Sequence, residues 1–543
     1  MCGIWGLLGI YEYSKELYEL FNSIKKRGNN NSVLLSNKEY MIGFHRLAIM
    51  DLRSKGDQPF EYNKNNRSVH IICNGEIYNY LELRKEFEGI YDFVSNSDCE
   101  VLLPLYLKYG MNFIDKLDAE YALAVFDFEK DSETGKIIKK NLYLSRDHLG
   151  IRPLFYTIVD NVVVFSSEMK GLLLNETNKI NIFEPRTTTH FSYDLDDKLI
   201  FNSTEYYKIG KLPFNNDNIN QIHSNIRDIL IESIHNRLHS DQKIGALLSG
   251  GLDSSLICAI ASTELLKQGR VLKTFCIGME GSPDVEYSIK VAKFIKSDHT
   301  IINITQEELL EAIEEVVFHI ETYDITTIRA SVGQYIVSKK IAQMTNIKVI
   351  LVGDVSDELT SGYLYFHRSP SAMAGHKENI RLLENIHYFD ILRTDRGIAS
   401  HDMEARVPYG SRKFIDYYLS INPILREPQF GQEKYLLRSA FKGFLPDDVL
   451  FRRKEAFSDG ISHQTKSWYV IIQEKIDNEM SDEYYNINKM KYSDTIIPHT
   501  KEALYYRELF ERYYKNQGHN LKEYWLPKWT NTTDPSARTL EIY

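Results

Sequence analysis

Hydrophobic and polar positions follow two rhythms along the chain. Up to about Tyr207, short runs of alternating apolar and polar residues, rich in β-branched and aromatic side chains, predict strands over 40–44, 69–73, 121–128, 142–145 and 162–166. Between them, 78–88 and 98–109 carry helical spacing. This mixture predicts an α+β amino-terminal domain of packed, mostly antiparallel sheets. The segment KIGKLPFNNDNIN, 208–220, has no apolar period and is rich in Asn, Pro and Gly, which reads as a linker between domains spanning 2–207 and 221–543. Beyond it, longer amphipathic stretches alternate with short apolar ones: helix 222–239, strand 244–248, helix 254–267, strand 272–277, helix 331–344, strand 349–352. That alternation predicts an α/β doubly wound parallel sheet, followed past about residue 370 by a mostly helical part.

Composition narrows the function classes. With 43% hydrophobic and 26% charged residues, the 543-residue chain can bury substantial cores and is not disordered. Its net charge, −10, gives no attraction for nucleic acid or an anionic membrane. No run reaches the ~18 apolar residues of a spanning helix, and the opening MCGIWGLLGI lacks a basic leader, so a cytoplasmic protein is expected. Five scattered cysteines without a CxxC pair argue against a disulfide framework or zinc site.

The sharpest chemistry is the run Ser249, Gly250, Gly251, Leu252, Asp253, Ser254, Ser255, between a predicted strand ending at Leu248 and a predicted helix. A strand, a glycine turn and a helix start gather backbone N–H groups and the positive helix end around one point, where phosphate binds. The spacing is not GxxxxGK[ST], so this is not a Walker loop. The serine hydroxyls add donors, and Asp253 beside a polyphosphate calls for Mg²⁺. A second acidic run, Gly353, Asp354, Val355, Ser356, Asp357, Glu358, follows the strand 349–352. Carboxyl ends of neighbouring parallel strands face one crevice, so Asp253 and Asp357 are candidates to share the cation. A plain helix cap and a solvated acidic loop remain the alternative readings.

At the other end, Cys2 follows the initiator Met. Once Met1 is removed, its α-amine can serve as base for its own thiol. Arg46 offers a fork for a carboxylate, Asn74 and Gly75 an amide and a backbone N–H for an oxyanion, and Glu76 and Asp98 carboxylates for an ammonium.

These segments carry a resemblance. MCGIWG, HRLAIMDL, NGEIYNY, SDCEV and SRDHLGIRPL resemble the glutaminase domain of class II amidotransferases. LLSGGLDSS, HIETYDITTIRAS, SDE before GYLYFH, EARVP and RRKEAFSDG resemble the synthetase domain of the glutamine-hydrolysing asparagine synthetases, an ATP pyrophosphatase type. The match runs in order over nearly the whole chain. It implies an αββα N-terminal nucleophile hydrolase fold, then the parallel-sheet domain, in a homodimer acting on glutamine, aspartate and ATP. Cys2 then attacks the glutamine amide, Asn74 and Gly75 hold the oxyanion, and Arg46, Glu76 and Asp98 hold the α-carboxylate and α-amine. Leu248, Ile277, Val352 and Gly353 line the ATP site, Ser249 to Ser255 hold pyrophosphate, and Asp253 and Asp357 bind Mg²⁺. Thr326, Thr327 and Arg329 fall at the substrate and pyrophosphate end, and Lys454 steadies the α-phosphoryl group. Aspartate is activated as β-aspartyl-AMP and captured by ammonia.

This chain departs from the family pattern at several places. The family's SGEGSDE is Val352 to Glu358, so the catalytic glutamate is Asp354 and the second glycine is Val355. RGPD is Arg27 to Asn30, GGY is Ser361 to Tyr363, and a proline-glycine turn is Pro185, Arg186. If the glycine at 355 sits at positive φ, the valine strains its loop. Two other readings are a ring-closing β-lactam-synthetase-like ligase, against which Cys2 speaks, and a diverged glutaminase or glutamine- or nucleotide-binding protein with weak or lost synthesis.

Overall fold

The computed structural model describes residues 1–12, 14–452, 462, 467–536 and 539–540. They form two compact units, one of Met1–Lys208 with His239–Gln242 and Ala399–Met403, the other of Ile209–Leu238, Lys243–Ile398 and Glu404–Tyr543. Among the described residues, no helix is long and apolar enough to cross a membrane.

The first unit stacks two antiparallel sheets. One is built from β1 (Gly3–Leu8), β2 (Asn31–Ser36), β3 (Tyr40–Arg46), β8 (Phe155–Val159), β9 (Val162–Ser166) and β10 (Asn181–Ile182), in the order β10-β8-β9-β1-β3-β2. The other takes β4 (Phe60–Lys64), β5 (Arg67–Ile77), β6 (Ala119–Lys130), β7 (Ile137–Arg146), β11 (Thr187–Tyr193) and β12 (Leu199–Glu205), in the order β12-β11-β7-β6-β5-β4. Side-chain alternation decides the layering. Along β6, Ala122, Ala124, Phe126 and Phe128 meet Ile4, Ile42 and Phe44 of the first sheet. Tyr121, Leu123 and Val125 point the other way, with Val69, Ile71 and Cys73 of β5, onto Leu102, Leu103 and Tyr106 of the helix Leu102–Tyr109. On the outer face of the first sheet, Phe21 of the helix Lys15–Ser23 packs on Trp5. The result is an αββα sandwich.

Sequence boundaries were exceeded where pairing extends an element. β5 and β6 run past their predicted limits because they pair continuously from Arg67↔Glu129 to Ile77↔Ala119. The predicted helix 78–88 contracts to Tyr80–Lys85, and 98–109 begins with a 3₁₀ turn at Asp98–Val101.

In the second unit, β13 (Lys243–Leu247), β14 (Lys273–Gly278), β15 (Asp298–Asn303), β16 (Ile347–Leu351) and β17 (Glu404–Arg406) form an all-parallel sheet in the order β15-β14-β13-β16-β17. The chain winds one way from β13 through β14 to β15, then returns to β16 on the opposite side. The carboxyl ends of β13 and β16 flank that switch point, where doubly wound sheets open a crevice. The helix Leu252–Lys267 follows β13, with Leu256, Ile257, Ile260 and Ala261 buried. The long helix Ile325–Met344 starts six residues before the predicted 331. Asp324 caps it, accepting from Thr327 N at 2.8 Å and Thr327 Oγ1 at 2.7 Å, which offsets the weak helical propensity of the β-branched run after it. Past residue 370 the described chain is largely helical.

Candidate functional site

The cleft at the switch point is lined by the turn after β13, the turn after β16, and a wall of charged side chains from later in the chain. Gly250 makes the first turn possible. Its φ is +73°, and a Cβ there falls 2.5 Å from Tyr287 Cβ and 2.6 Å from Ser288 N. Gly251 is the helix N-cap and carries no capping side chain, so the first-turn N–H groups face the cleft. Ser249 Oγ and Ser254 Oγ stand 3.1 Å apart across the turn. Leu248, Ser249, Gly251, Asp253, Ser254, Ile277, Val352, Gly353, Asp354 and Asp357 all line this cleft. Ser255 does not: the helix begins at Leu252, which turns Ser255 into the core, where its hydroxyl is buried with no partner.

Asp253 and Asp357 do meet. Lys434 Nζ lies 2.6 Å from Asp253 Oδ2 and 2.6 Å from Asp357 Oδ1, and Ser356 Oγ donates to Asp253 Oδ1 at 2.8 Å. An ammonium between two carboxylates marks a position whose donor chemistry suits a cation. Among the described residues no group of three or more His, Cys, Asp or Glu is placed to hold a metal ion. Mg²⁺ fits such a site because it binds through one or two carboxylates together with substrate phosphates.

The turn after β16 retains a glycine backbone without the glycine. Val355 has φ +77°, a left-handed conformation that a β-branched residue rarely adopts. Ser361 (φ +57°) and Arg186 (φ +65°) do the same where the family pattern carries glycine. Asp354 is only 10% exposed and paired: Arg393 Nη2 donates to its Oδ1 at 2.6 Å, while Arg393 also bonds Asp390 and Gln334. Burial nevertheless pushes the Asp354 carboxyl above its ordinary range, with Arg393 opposing it. One turn later, burial and the neighbouring Asp390 and Asp357 push Glu358 well above the carboxylate range; Tyr363 OH donates to its Oε1 and its Oε2 has no partner.

Sequence reasoning missed Lys434, Arg438, Arg452 and Arg393, which give the cleft its positive wall. They lie far from the glycine turn in sequence, in segments with no phosphate-loop spacing. Lys454 lies outside the described residues.

Thr326 and Arg329 line a different, smaller cleft with Tyr363, Tyr365 and Trp525. Arg329 is fully engaged there: Nε and Nη2 donate to Glu502 at 2.9 and 2.6 Å, and Nη1 and Nη2 to Asp534 at 2.9 and 2.8 Å. Thr327 is spent on the Asp324 cap.

In the first unit, the pairing Gly3↔His45 sets Cys2 beside Arg46 across β1 and β3, and Cys2 Sγ donates to Leu47 O at 3.6 Å. Arg27 Nε holds the Cys2 carbonyl at 2.9 Å, and Arg27 is itself fixed by Glu168 at 2.9 Å. Arg46 fastens the loop after β3, donating to Arg53 O at 2.7 Å, Met50 O at 3.2 Å, the Asp51 carbonyl and Asp57 Oδ1 at 2.6 Å. Asn74, Gly75 and Glu76 end β5. Gly75 is required, because a Cβ there lies 2.2 Å from Glu120 O. Asp98 joins them, its Oδ2 accepting from Ile77 N at 2.7 Å, and Cys99 Sγ donates to Gly75 O at 3.5 Å. Asn74 is completely buried, yet neither Nδ2 nor Oδ1 has a partner. A buried amide left unsatisfied is costly, and it is the group an oxyanion needs. All five cysteines are free thiols.

Comparison with known proteins matches both units. Residues 1–224 match the glutamine amidotransferase domain family, and residues 225–381 and 371–537 match the asparagine synthase family. The chain is 39% identical over 571 residues to the asparagine synthetase [glutamine-hydrolyzing] of Cricetulus griseus, covering 100% of this chain and 99% of that protein. The Homo sapiens protein of the same name is 39% identical over 570 residues, with the same coverage.

Proposed function

This chain belongs to the glutamine-hydrolysing asparagine synthetase family, and from that premise we propose the following assignment of its chemistry. The protein makes asparagine from aspartate, ATP and the amide nitrogen of glutamine. The full-length match in both halves supports this reading, and nothing in it favours a ring-closing ligase or a non-catalytic binding protein.

In the first unit, removal of Met1 frees the Cys2 amine, which takes the thiol proton as sulfur attacks the glutamine amide. Asn74 Nδ2 and Gly75 N–H stabilise the oxyanion, and the orphaned Asn74 amide is the observation that carries this assignment. Glu76 and Asp98 hold the α-amine. Arg46 holds the α-carboxylate, which has to compete with Asp57 for the guanidinium. The tetrahedral intermediate collapses to a γ-glutamyl thioester, expelling ammonia with the proton held by the α-amine, and water then hydrolyses the thioester to glutamate and frees the Cys2 thiol.

In the second unit, Ser249, Gly251 and Ser254 cradle the phosphates, Leu248, Ile277, Val352 and Gly353 flank the nucleotide, and Asp253 and Asp357 would hold Mg²⁺, which would supply positive charge to the leaving pyrophosphate. The aspartate β-carboxylate attacks the α-phosphorus, and ammonia then displaces AMP from β-aspartyl-AMP, with Asp354 near the reacting centre. Arg438 and Arg452 add positive charge to the wall. Lys454 is assigned to the α-phosphoryl group, and Thr326, Thr327 and Arg329 to the substrate and pyrophosphate end. A homodimer in the cytoplasm is part of this reading.

The test uses amide-¹⁵N glutamine, aspartate and MgATP. Label appears in asparagine with wild-type protein and is lost with Cys2→Ala, while Cys2→Ala still makes asparagine from ammonia. Glutamate release without aspartate-dependent AMP overturns the synthetase assignment.

A further inference from the structure

Lys434 is built into its position. It is the N-cap of the helix Tyr435–Ala440, in a left-handed conformation at φ +57°, and its side chain is 2% exposed. The backbone turn aims the ammonium inward. Gly362 leaves room for it: a Cβ at Gly362 falls 2.1 Å from Lys434 Cε and 2.1 Å from Asp357 Oδ1. The ammonium donates to Asp253 Oδ2 at 2.6 Å and to Ser356 Oγ at 3.3 Å, and pairs with Asp357 Oδ1 at 2.6 Å.

We propose that Lys434 is the resident cation of the Asp253–Asp357 pair, so that a divalent ion takes this position only together with nucleotide. The inference rests on the reading of this cleft as a magnesium-nucleotide site and adds an order to it. An ion bridging both carboxylates enters the space the ammonium fills, and like charges at contact distance in a poorly solvated cleft exclude each other. Triphosphate changes that balance. Its oxygens, gathered at the Ser249–Ser254 turn, offer the ammonium new acceptors within reach of a flexible four-carbon stem. The carboxylates are then released to the metal. Without nucleotide, the ammonium instead keeps two acidic side chains from collecting stray cations or repelling one another.

Mn²⁺ is the probe, measured by the loss of its free electron paramagnetic resonance signal with full-length protein. Wild type binds Mn²⁺ weakly alone and at least ~10-fold more tightly with a non-hydrolysable ATP analogue, after subtraction of the Mn²⁺ that the analogue binds in buffer without protein. Lys434→Met and Lys434→Gln, checked for folding by circular dichroism, bind one Mn²⁺ without nucleotide at least ~10-fold more tightly than wild type does, and Asp253→Asn added to either removes that site. Equal nucleotide-free affinity in wild type and both variants overturns the proposal while the metal site stands. If neither variant folds, absence of nucleotide coupling in wild type overturns it alone. Asp253→Asn leaving Mn²⁺ affinity in the presence of the analogue unchanged overturns the metal reading itself, and the proposal with it.

Discussion

Arg393 Nη2 donates to Asp354 Oδ1 at 2.6 Å and to Asp390 Oδ1 at 2.8 Å, so one guanidinium, 11% exposed, compensates two carboxylates at the edge of the cleft at the switch point of the parallel sheet. The acidic side chain of Asp354, in the turn after β16, is therefore anchored. Replacing Arg393 by Met leaves both acids without their cation in a poorly solvated place, at about 2–3 kcal/mol, because Asp390 is 20% exposed. Asp354 escapes part of that penalty by protonation. Its native pKa already lies above the ordinary value and rises further without the guanidinium, so the native state of the variant holds a proton that the unfolded chain releases. Stability falls with rising pH wherever the native state binds more protons. Urea unfolding of Arg393→Met relative to wild type is expected to show a smaller deficit at pH 5.5 than at pH 8. A deficit equal at both values contradicts this account. Glutaminase activity, housed in the other unit, serves as the folding control.

Val355 makes an inverted substitution order expected. At ordinary φ, glycine is less stable than alanine by roughly 0.5–1 kcal/mol. At φ +77° any Cβ is strained, by about 1–2 kcal/mol. Both variants lose the buried valine methyls, so that cost cancels in the comparison. Val355→Gly should therefore melt above Val355→Ala, by an amount corresponding to ~1 kcal/mol. Scanning calorimetry of the two proteins decides it; alanine above glycine means the loop relaxes out of the left-handed region.

The two acids on Arg329 should differ in weight. Glu502 is as buried as the arginine, whereas Asp534 is 18% exposed. Glu502→Gln leaves a buried cation half-matched and is expected to cost about 3 kcal/mol. Asp534→Asn, with Glu502 still in place and water near, should cost about 1 kcal/mol. Denaturant midpoints of the two variants check the order.

How far the chain can be read without its structure depends on whether the signal is local. The strand–turn–helix around Gly250 is local: the glycine needs positive φ, and the apolar runs on either side announce their elements, so Ser249, Gly251 and Asp253 were legible. So was the strain at 355, because a family glycine replaced by valine is visible in the letters. Lys434 and Arg393 were not legible. Each sits in an ordinary amphipathic or loop segment and acquires meaning only when the parallel sheet brings it to Asp253 or Asp354, more than thirty residues away in sequence. Arg329 shows the converse: its motif stands out in sequence, but two distant carboxylates, Glu502 and Asp534, determine what its guanidinium touches.

Asn74 allows catalysis and stability to be separated in one side chain. Most buried polar groups are kept for their hydrogen bonds, and removing one costs stability. Asn74 has none to lose: its amide nitrogen and oxygen are both buried and both unpartnered. Asn74→Ala discards an unsatisfied polar group, a gain of about 1 kcal/mol or more, against a small cavity of similar cost. The melting temperature should therefore stay close to wild type. Catalysis behaves differently, because an amide donor aimed at a developing oxyanion contributes about 3–4 kcal/mol and its removal lowers kcat by ~10²–10³-fold. Glutamate release from glutamine should fall by that factor in Asn74→Ala, with asparagine formation from added ammonia unchanged, since the cleft of the second unit is untouched. A lowered melting temperature with glutaminase reduced only a few-fold would make Asn74 a packing residue, and the oxyanion assignment would fall with it.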